Sequence, residues 1–150
     1  MPELRIEELS ASTIEAANNL TLKPGQEAFL EPTTYTNAEQ QLDPAGSWPR
    51  VIRDGDEVVG YIMGAFDADA PEDYLRAALW RISVSADAQG SGVGRFGVEA
   101  FAEEARSRGF TRATVVWAKG DAGPGAFFES VGFAPVGETP YGEILGARDL

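Results

Sequence analysis

The feature that most constrains the fold of this chain is a glycine-rich segment between a predicted strand and a predicted helix. Residues 84–95 read Val-Ser-Ala-Asp-Ala-Gln-Gly-Ser-Gly-Val-Gly-Arg. The apolar run before them, residues 75–84, is typical of a strand, and residues 92–108 carry an apolar stripe with helical spacing. The stripe consists of Val93, Phe96, Ala100, Phe101 and Ala105. A strand that turns through glycines into an amphipathic helix predicts a domain that mixes helices with a sheet.

This turn also has the chemistry of an anion site. Glycines allow successive backbone N–H groups to turn toward one point, and the N-terminus of a helix adds a partial positive charge there. Such a site suits a phosphate or pyrophosphate, and Arg95 is a candidate for a further ionic contact. The candidate binding residues are Gln89, Gly90, Ser91, Gly92, Val93, Gly94 and Arg95.

Two well-known phosphate loops fit this segment poorly. The chain has no Gly-Lys-Ser/Thr of a Walker loop. Residues 92–97 match the spacing Gly-x-Gly-x-x-Gly, but a dinucleotide-binding domain also needs an acid roughly 20 residues later, at the end of the next strand. That strand ends here in Val-Trp-Ala-Lys at residues 116–119. On glycine spacing alone, a phosphate site and a tightly packed loop both remain open.

The remaining pattern completes a single domain over residues 1–150. Alternating or β-branched runs predict strands, and a turn at Asp54-Gly55 predicts a hairpin. The predicted strands are 4–7, 49–53, 58–66, 75–84, 111–117, 133–136 and 143–145, and the predicted helices are 12–22, 37–42, 92–108 and 124–131. We therefore expect an α/β (α+β) domain with a mixed central sheet of six or seven strands and helices on both faces.

Composition excludes several classes of function. The chain has 150 residues, no cysteine and no histidine. A disulfide scaffold, a thiolate metal site, a cysteine nucleophile and a Ser-His-Asp triad are thereby ruled out, and we expect no metal. The net charge of -12 disfavours binding to nucleic acid. No apolar run approaches the ~20 residues of a membrane span, and the N-terminus lacks the pattern of a signal peptide, so we expect a cytoplasmic protein.

The charge is concentrated in one half of the chain. Residues 1–75 hold 15 acidic and four basic side chains, whereas residues 76–150 hold nine acidic and eight basic ones. An acidic surface often serves only solubility. The uneven distribution nevertheless predicts that the first half attracts cations and that the second half tolerates an anion.

Two motifs carry a resemblance to a known family. Residues 89–94, Gln-Gly-Ser-Gly-Val-Gly, resemble the Q/R-x-x-G-x-G/A acetyl-CoA loop of the GNAT superfamily of N-acetyltransferases. Residues 125–133, Gly-Ala-Phe-Phe-Glu-Ser-Val-Gly-Phe, resemble the later helix of that family, which commonly ends in Leu-Tyr-x-Lys-Leu-Gly-Phe. The two motifs have the order and spacing of the family, and the resemblance covers residues 48–145.

A narrower resemblance is to bacterial spermine/spermidine (diamine) acetyltransferases. It is carried by residues 24–29 and 48–52, by Trp80-Arg81, and by the Gly-Glu pairs at 137–138 and 142–143. It implies that the acceptor is a small cationic amine, such as a polyamine. It also implies a homodimer.

The GNAT resemblance implies acetyl-CoA as cosubstrate and direct transfer of the acetyl group. The pyrophosphate would lie on the amides of residues 89–95, and the pantetheine arm would pair with Ile82, Ser83 and Val84 where a central strand splays from its neighbour. The later motif implies that Asp121 and Phe128 also lie on the cofactor side.

The chain departs from the family at the groups that move protons. The tyrosine that often protonates the departing thiolate is Phe128 here, and the asparagine that commonly begins the segment is Asp121. Tyr141 and Tyr35 are candidate replacements. The strand at residues 79–84 has no acid to act as a base, so the candidates are Glu27, Glu57 and Glu143. Each of these carboxylates is also compatible with a plain surface position.

The acceptor is expected to lie beside Trp80, Glu27 and Glu143, because an aromatic wall with carboxylates favours an ammonium group. Trp48 and Trp117 are expected in the core. A lysine side chain, a peptide N-terminus or an aminoglycoside would satisfy the same charge pattern. A third hypothesis, motivated by Phe128, is a catalytically weak domain that binds or senses acyl-CoA.

Overall fold

The structure is a computed structural model, and it describes residues 3–18, 20, 44–90, 92–120 and 124–150. Seven strands form one sheet in the order β1-β2-β3-β4-β5-β7-β6. All neighbours are antiparallel except β4 and β5, so the prediction of a mixed sheet is confirmed. The strands are β1 Leu4–Glu8, β2 Ser47–Asp54, β3 Glu57–Phe66, β4 Ala77–Val84, β5 Arg112–Trp117, β6 Ala134–Glu138 and β7 Ile144–Asp149.

Three α-helices lie in the described ranges: α1 Ile14–Asn18, α2 Val93–Ser107 and α3 Gly125–Ser130. Helices α2 and α3 pack on one face of the sheet, around Phe101 and Phe128, in the main hydrophobic core. Adjacent residues of β4 and β5 pack on the other face, where Ala78 and Val116 form a smaller cluster. Below, these are called the helix face and the far face. In the part of the chain that the structure describes, no helix is both long enough and apolar enough to span a bilayer.

Glycine in α2 sets the distance between this helix and the sheet. A Cβ atom at Gly97 would lie 2.9 Å from Ile52 Cδ1, closer than van der Waals contact allows. The missing side chain lets α2 pack directly on the strands. Its apolar side buries Val93, Val98, Phe101, Ala102 and Ala105. The helix therefore begins at a fixed place beside the end of β4.

The predicted elements agree with the structure in kind and differ at their ends. The hairpin turn is Gly55-Asp56, one residue later than expected, and Gly55 supplies the positive φ of +60° that such a turn needs. The helix predicted over 12–22 is α1, which ends at Asn18. The strand predicted over 143–145 is the longer β7. The helix predicted over 37–42 lies outside the described residues.

Candidate active site

The two central strands, β4 and β5, separate after a short region of pairing. β4 pairs with β5 only at Ala78↔Thr114 and Leu79↔Val115. β4 then continues to Val84 while paired with β3, and β5 continues to Trp117 while paired with β7. The space between these two ends is called the gap below. No other described strand pairs with β4 on this side, so the predicted splayed strand is confirmed.

A β-bulge lies where the strands separate. Gly64 pairs with Leu79 and Met63 pairs with Arg81, which leaves Trp80 as an extra residue in β4. Leu79 and Ile82 consequently both pack on the helix face, whereas Trp80 packs on the far face. Because a bulge bends its strand and increases the local twist, it accounts for the divergence of β4 from β5.

Backbone groups of β4 face the gap. The Ser85 N–H donates to the Val59 carbonyl of β3 at 2.8 Å. Since N–H and C=O directions alternate along a strand, Ser83 also faces β3, and Ile82 and Val84 face the gap. The side-chain amide of Gln89 donates to the Val84 carbonyl at 2.9 Å. Gln89 thus joins the loop to the end of β4, next to the backbone of Ile82.

The loop between β4 and α2 depends on two glycines for its backbone conformation. Gly90 and Gly92 have φ values of +86° and +89°, which other residues rarely adopt. A Cβ atom at either position would meet nothing within 4 Å. These two glycines are therefore required by the turn and not by packing, and Gly92 immediately precedes the first residue of α2.

The other predicted loop residues that the structure describes contact the core or the helix α3. Val93 is buried and packs near Ile52 and Val59, so only its backbone is available to a ligand. Arg95 Nη2 donates to the Ser130 carbonyl at 2.9 Å and links α2 to α3. A Cβ at Gly94 would lie 2.9 Å from the Phe127 ring, so this glycine allows the same close approach. Ser91 lies outside the described residues.

Aromatic rings line the β5 side of the gap. Phe128 of α3 is 6% exposed and stacks on Trp117, with ring centroids 5.5 Å apart. Phe133 meets Phe128 edge to face at 6.1 Å. A Cβ at Gly125 would lie 2.9 Å from Trp117 Nε1, and Gly146 contacts the same ring. Phe128, which the family resemblance places at the proton-donor position, is thus a buried phenyl ring, and Trp48 and Trp117 are core residues as expected.

The structure describes two of the predicted acceptor residues, and one of them, Trp80, lies on the far face. Half-buried Trp80 packs with Ala78, Val116 and Leu145. Glu143, two residues before Leu145, is buried and accepts a hydrogen bond from the Thr139 hydroxyl at 3.4 Å. Glu143 immediately precedes β7, and Leu145 of β7 packs beside Trp80.

Tyr141 lies in the turn between β6 and β7 and is 54% exposed. Its backbone N–H donates to the Thr139 hydroxyl at 3.3 Å. Burial raises the pKa of Tyr74, and charge interactions with Glu72 and Tyr141 raise it further. Tyr74 is a neighbour of this region that the sequence did not indicate.

Several predicted residues have no described position: Glu27, Tyr35 and Asp121 lie outside the described ranges. Glu57 opens β3 and is exposed. No group of three or more acidic side chains positioned to hold a metal ion occurs in the ranges that the structure covers.

Two further residues of the far face, Tyr61 and Arg81, were not predicted from the sequence as site residues. The Arg81 guanidinium lies 5.8 Å from the centroid of the Tyr61 ring. Both side chains point away from α2, because the bulge places Arg81 beside Trp80 and strand alternation places Tyr61 opposite Ile62. The available signal for Arg81 was its charge, the only one in the otherwise uncharged residues 77–84.

Comparison with known proteins agrees with this geometry. The model of the acetyltransferase (GNAT) family matches residues 14–133. No curated protein sequence matches the chain. Among solved structures, the PaiA N-acetyltransferase of Thermoplasma acidophilum in complex with coenzyme A is 11% identical, with 99% of each chain covered and a TM-score of 0.73.

Two other solved structures have the same fold. The ribosomal-protein-S18-alanine N-acetyltransferase of Escherichia coli is 19% identical, with 97% of this chain and 93% of that chain covered and a TM-score of 0.66. A GNAT family acetyltransferase of Elizabethkingia anophelis with acetyl-CoA bound is 12% identical, with 98% of each chain covered and a TM-score of 0.66. The family match spans most of the chain, and the splayed strand and glycine loop lie inside it: the chain belongs to the GNAT family of acetyltransferases.

Proposed function

We propose that this protein is an N-acetyltransferase that moves an acetyl group from acetyl-CoA directly to a primary amine of a small cationic substrate, a polyamine such as spermidine. The observation that carries the proposal is the gap between β4 and β5, which presents the backbone of Ile82 and leads to the N-terminus of α2. Membership of the GNAT family supports the reaction type.

The residues around the gap fit acetyl-CoA. The open space above Gly90 and Gly92 leaves room for a pyrophosphate against the backbone. The N–H groups at the start of α2 favour an anion there. The pantetheine arm has amide groups of its own, which can pair with the backbone of Ile82 and Val84 as a neighbouring strand would. No side-chain cation is required for this binding.

The chemistry needs few protein side chains. Acetyl-CoA supplies an activated acetyl group as a thioester. In the transfer, a C–N bond forms to the amine, the C–S bond breaks, the amine gives up a proton and CoA leaves as its thiol. The Ile82 N–H faces the gap, where it can donate to the acetyl oxygen and stabilise the negative charge that develops there. Holding the amine beside the thioester contributes much of the rate.

Proton transfer is assigned to residues on the acceptor side. We propose Glu27 as the base and Tyr141 as the replacement proton donor, since Phe128 has no ionisable proton. A thiol pKa of about 8.5 makes the thiolate a fair leaving group, so water can also protonate it. General acid help is typically worth about 10²–10⁴ in rate, and a chain without it is slower but still active.

The amine specificity rests on charge. The acidic first half of the chain attracts polycations and raises their rate of encounter. Trp80 supplies an aromatic surface for an ammonium group, and Glu143 supplies a carboxylate. Arg81 adds one positive charge to the same face. That charge favours an acceptor that carries a carboxylate, so a lysine peptide is the main competing substrate.

A second candidate function is a domain that binds acyl-CoA without efficient turnover. The observation that favours it is the packing of Phe128 against Trp117 and Phe133, three rings without a hydroxyl on the β5 side of the gap. Turnover with any amine distinguishes the two candidates.

The test is release of CoA from acetyl-CoA, followed with a thiol reagent, in the presence of spermidine, spermine, putrescine, a lysine peptide or an aminoglycoside. The chain has no cysteine, so it gives no thiol background. A reaction without amine measures plain hydrolysis, and the mass of the acetylated product confirms transfer. We expect release with spermidine to exceed release with the peptide.

The outcomes separate the hypotheses. Release with the peptide or the aminoglycoside but not with polyamines would replace the substrate class and keep the enzyme. Binding of acetyl-CoA without release for any amine would favour the sensor. Failure to bind acetyl-CoA would contradict the proposal as a whole.

A further inference from the structure

Ser83 lies in the part of β4 that has separated from β5. Its neighbours in the strand, Ile82 and Val84, pack with residues of the helix face. Because side chains alternate across a strand, Ser83 points to the far face, on the same side as Trp80 and Arg81. The hydroxyl is therefore next to the gap but on the side opposite to α2.

This hydroxyl differs from the other buried hydroxyls in the described part of the chain. Ser83 is 8% exposed, and its Oγ has no hydrogen-bond partner among the described residues. In contrast, Thr13 bonds to Ser10, Thr114 donates to the Tyr74 carbonyl at 3.0 Å, and Thr139 bonds to Glu143. Most buried polar side chains find a partner, so a lone hydroxyl at this place calls for an explanation.

Packing alone does not explain a serine here. Ile82 and Val84 beside it in the strand are apolar, Arg81 is the only charged residue of β4, and an alanine would fill the same space without a polar group that lacks a partner. A hydroxyl both accepts and donates hydrogen bonds, so it suits a ligand that arrives with N–H groups. The adjacent backbone of Ile82 faces the gap in which the acetyl group is expected.

We propose that the Ser83 hydroxyl accepts a hydrogen bond from the acceptor amine and holds its nitrogen beside the acetyl group. This inference rests on the proposed acetyltransferase function and adds a substrate-binding residue to it. Ser83 then contributes to the site twice. Its pairing with β3 holds the neighbouring backbone of Ile82 and Val84 toward the gap, and its side chain binds the amine.

The test compares Ser83→Ala with Thr114→Val, a matched change that removes a buried hydroxyl with a partner from the neighbouring strand. For Ser83→Ala we expect the KM for the amine to rise about threefold to tenfold, as for loss of one hydrogen bond. The Kd for acetyl-CoA should stay within twofold, and the Tm should be unchanged or higher. For Thr114→Val we expect a lower Tm and an unchanged KM for the amine.

The result that would overturn the inference is an active wild-type enzyme whose Ser83→Ala variant keeps its KM for the amine within twofold. The proposed function would survive that result. A lower Tm in Ser83→Ala with no change in KM would show that the hydroxyl is structural. A wild-type protein that binds acetyl-CoA and acetylates no amine in the panel would overturn both proposals.

Discussion

The two sides of the gap present different chemical groups, backbone amides on the β4 side and aromatic side chains on the β5 side. On the β4 side, the groups that face the gap are the backbone of Ile82 and Val84, continued by the amides of the glycine loop. On the β5 side, the surface is formed by packed aromatic rings, with Phe128 stacked on Trp117. One side can bind a ligand through groups that every residue has, whereas the other depends on which side chains are present.

This difference separates binding from catalysis. Backbone donors survive most substitutions, so the proposed cofactor binding by β4 and the loop needs little beyond two glycines with positive φ. Proton transfer needs a particular side chain, and on the β5 side that side chain is a phenylalanine. We therefore expect a protein with ordinary affinity for acetyl-CoA and a reduced rate of transfer.

The largest expected effect comes from giving the β5 side a proton donor. In Phe128→Tyr we expect kcat to rise about 100-fold, the lower end of what a general acid contributes, because the solvent-exposed Tyr141 is a poorer donor than a hydroxyl buried beside the gap. The Kd for acetyl-CoA should not change. The new buried hydroxyl should also lower the free energy of unfolding by about 1–3 kcal/mol if it finds no partner in the protein. Steady-state kinetics and urea unfolding measure the two effects.

The control for this variant is Phe133→Tyr, which adds a hydroxyl to a neighbouring ring of the same cluster. We expect a similar loss of stability and no gain in kcat. A Phe128→Tyr enzyme as slow as the wild type would contradict the idea that the β5 side limits the rate. It would place the proton route elsewhere, with Tyr141 as the next residue to change.

An intermediate effect is expected on the other side of the gap. Gly92→Ala forces a Cβ into the left-handed region at φ +89°. We expect the Kd for acetyl-CoA to rise about tenfold, the equivalent of ~1.4 kcal/mol, because left-handed backbone costs a residue with a Cβ roughly 1–2 kcal/mol and the loop amides shift to relieve it. Calorimetric titration with acetyl-CoA measures the change.

Gly109→Ala is the matched control at the opposite end of α2. Gly109 has the same φ of +89° and the same open space around it. Both variants should lose similar stability, but only Gly92→Ala should bind acetyl-CoA more weakly. Equal affinity of the two variants would show that the loop backbone is not the binding surface.

The smallest expected effect concerns Arg148, which links β7 to α2 and to the end of α3. Arg148 of β7 pairs with both oxygens of Glu99 of α2, at 2.9 and 3.1 Å, and donates to the Val131 carbonyl after α3 at 3.2 Å. The hydrogen bond from Arg148 is the main cause that lowers the pKa of Glu99 below its usual value. The carboxylate is 46% exposed, so solvent screening limits the stabilisation to about 1 kcal/mol or less.

The sign of the pH dependence follows from that lowered pKa. The stabilisation by Glu99 is present above the unfolded-state pKa of about 4.3 and is lost as the pH falls through the lower folded-state pKa. We expect Glu99→Gln to unfold at lower urea than the wild type at pH 7, and the difference to shrink as the pH falls below the unfolded-state pKa. Glu103→Gln, at an exposed position of the same helix, should change little. A difference that stays constant as the pH is lowered through the acid range would contradict this assignment.

The sequence predicted the β4 side of the gap better than the β5 side. Positions that need a positive φ are usually occupied by glycine, so Gly90 and Gly92 could be identified as loop residues from the sequence alone. The alternation of apolar residues likewise predicted the hairpin of β2 and β3, with its turn displaced by one residue. In these elements the local sequence determines the local conformation.

Features that depend on distant parts of the chain could not be predicted in this way. The bulge at Trp80 comes from the register of β4 against β3, and only the structure shows that Leu79 and Ile82 share a face. The partner of Arg95 is a carbonyl 35 residues away. The depth at which Phe128 is buried depends on Trp117 and Phe133, which belong to other elements.

The most direct test of the account is amide hydrogen exchange by NMR, with and without saturating acetyl-CoA. The account predicts that acetyl-CoA slows exchange at the Ile82 and Val84 N–H groups, which face the gap. The Ser83 and Ser85 N–H groups face β3 and should change little, so protection should alternate along the strand. Unchanged exchange at Ile82 and Val84 in the presence of bound acetyl-CoA would contradict binding in the gap between β4 and β5.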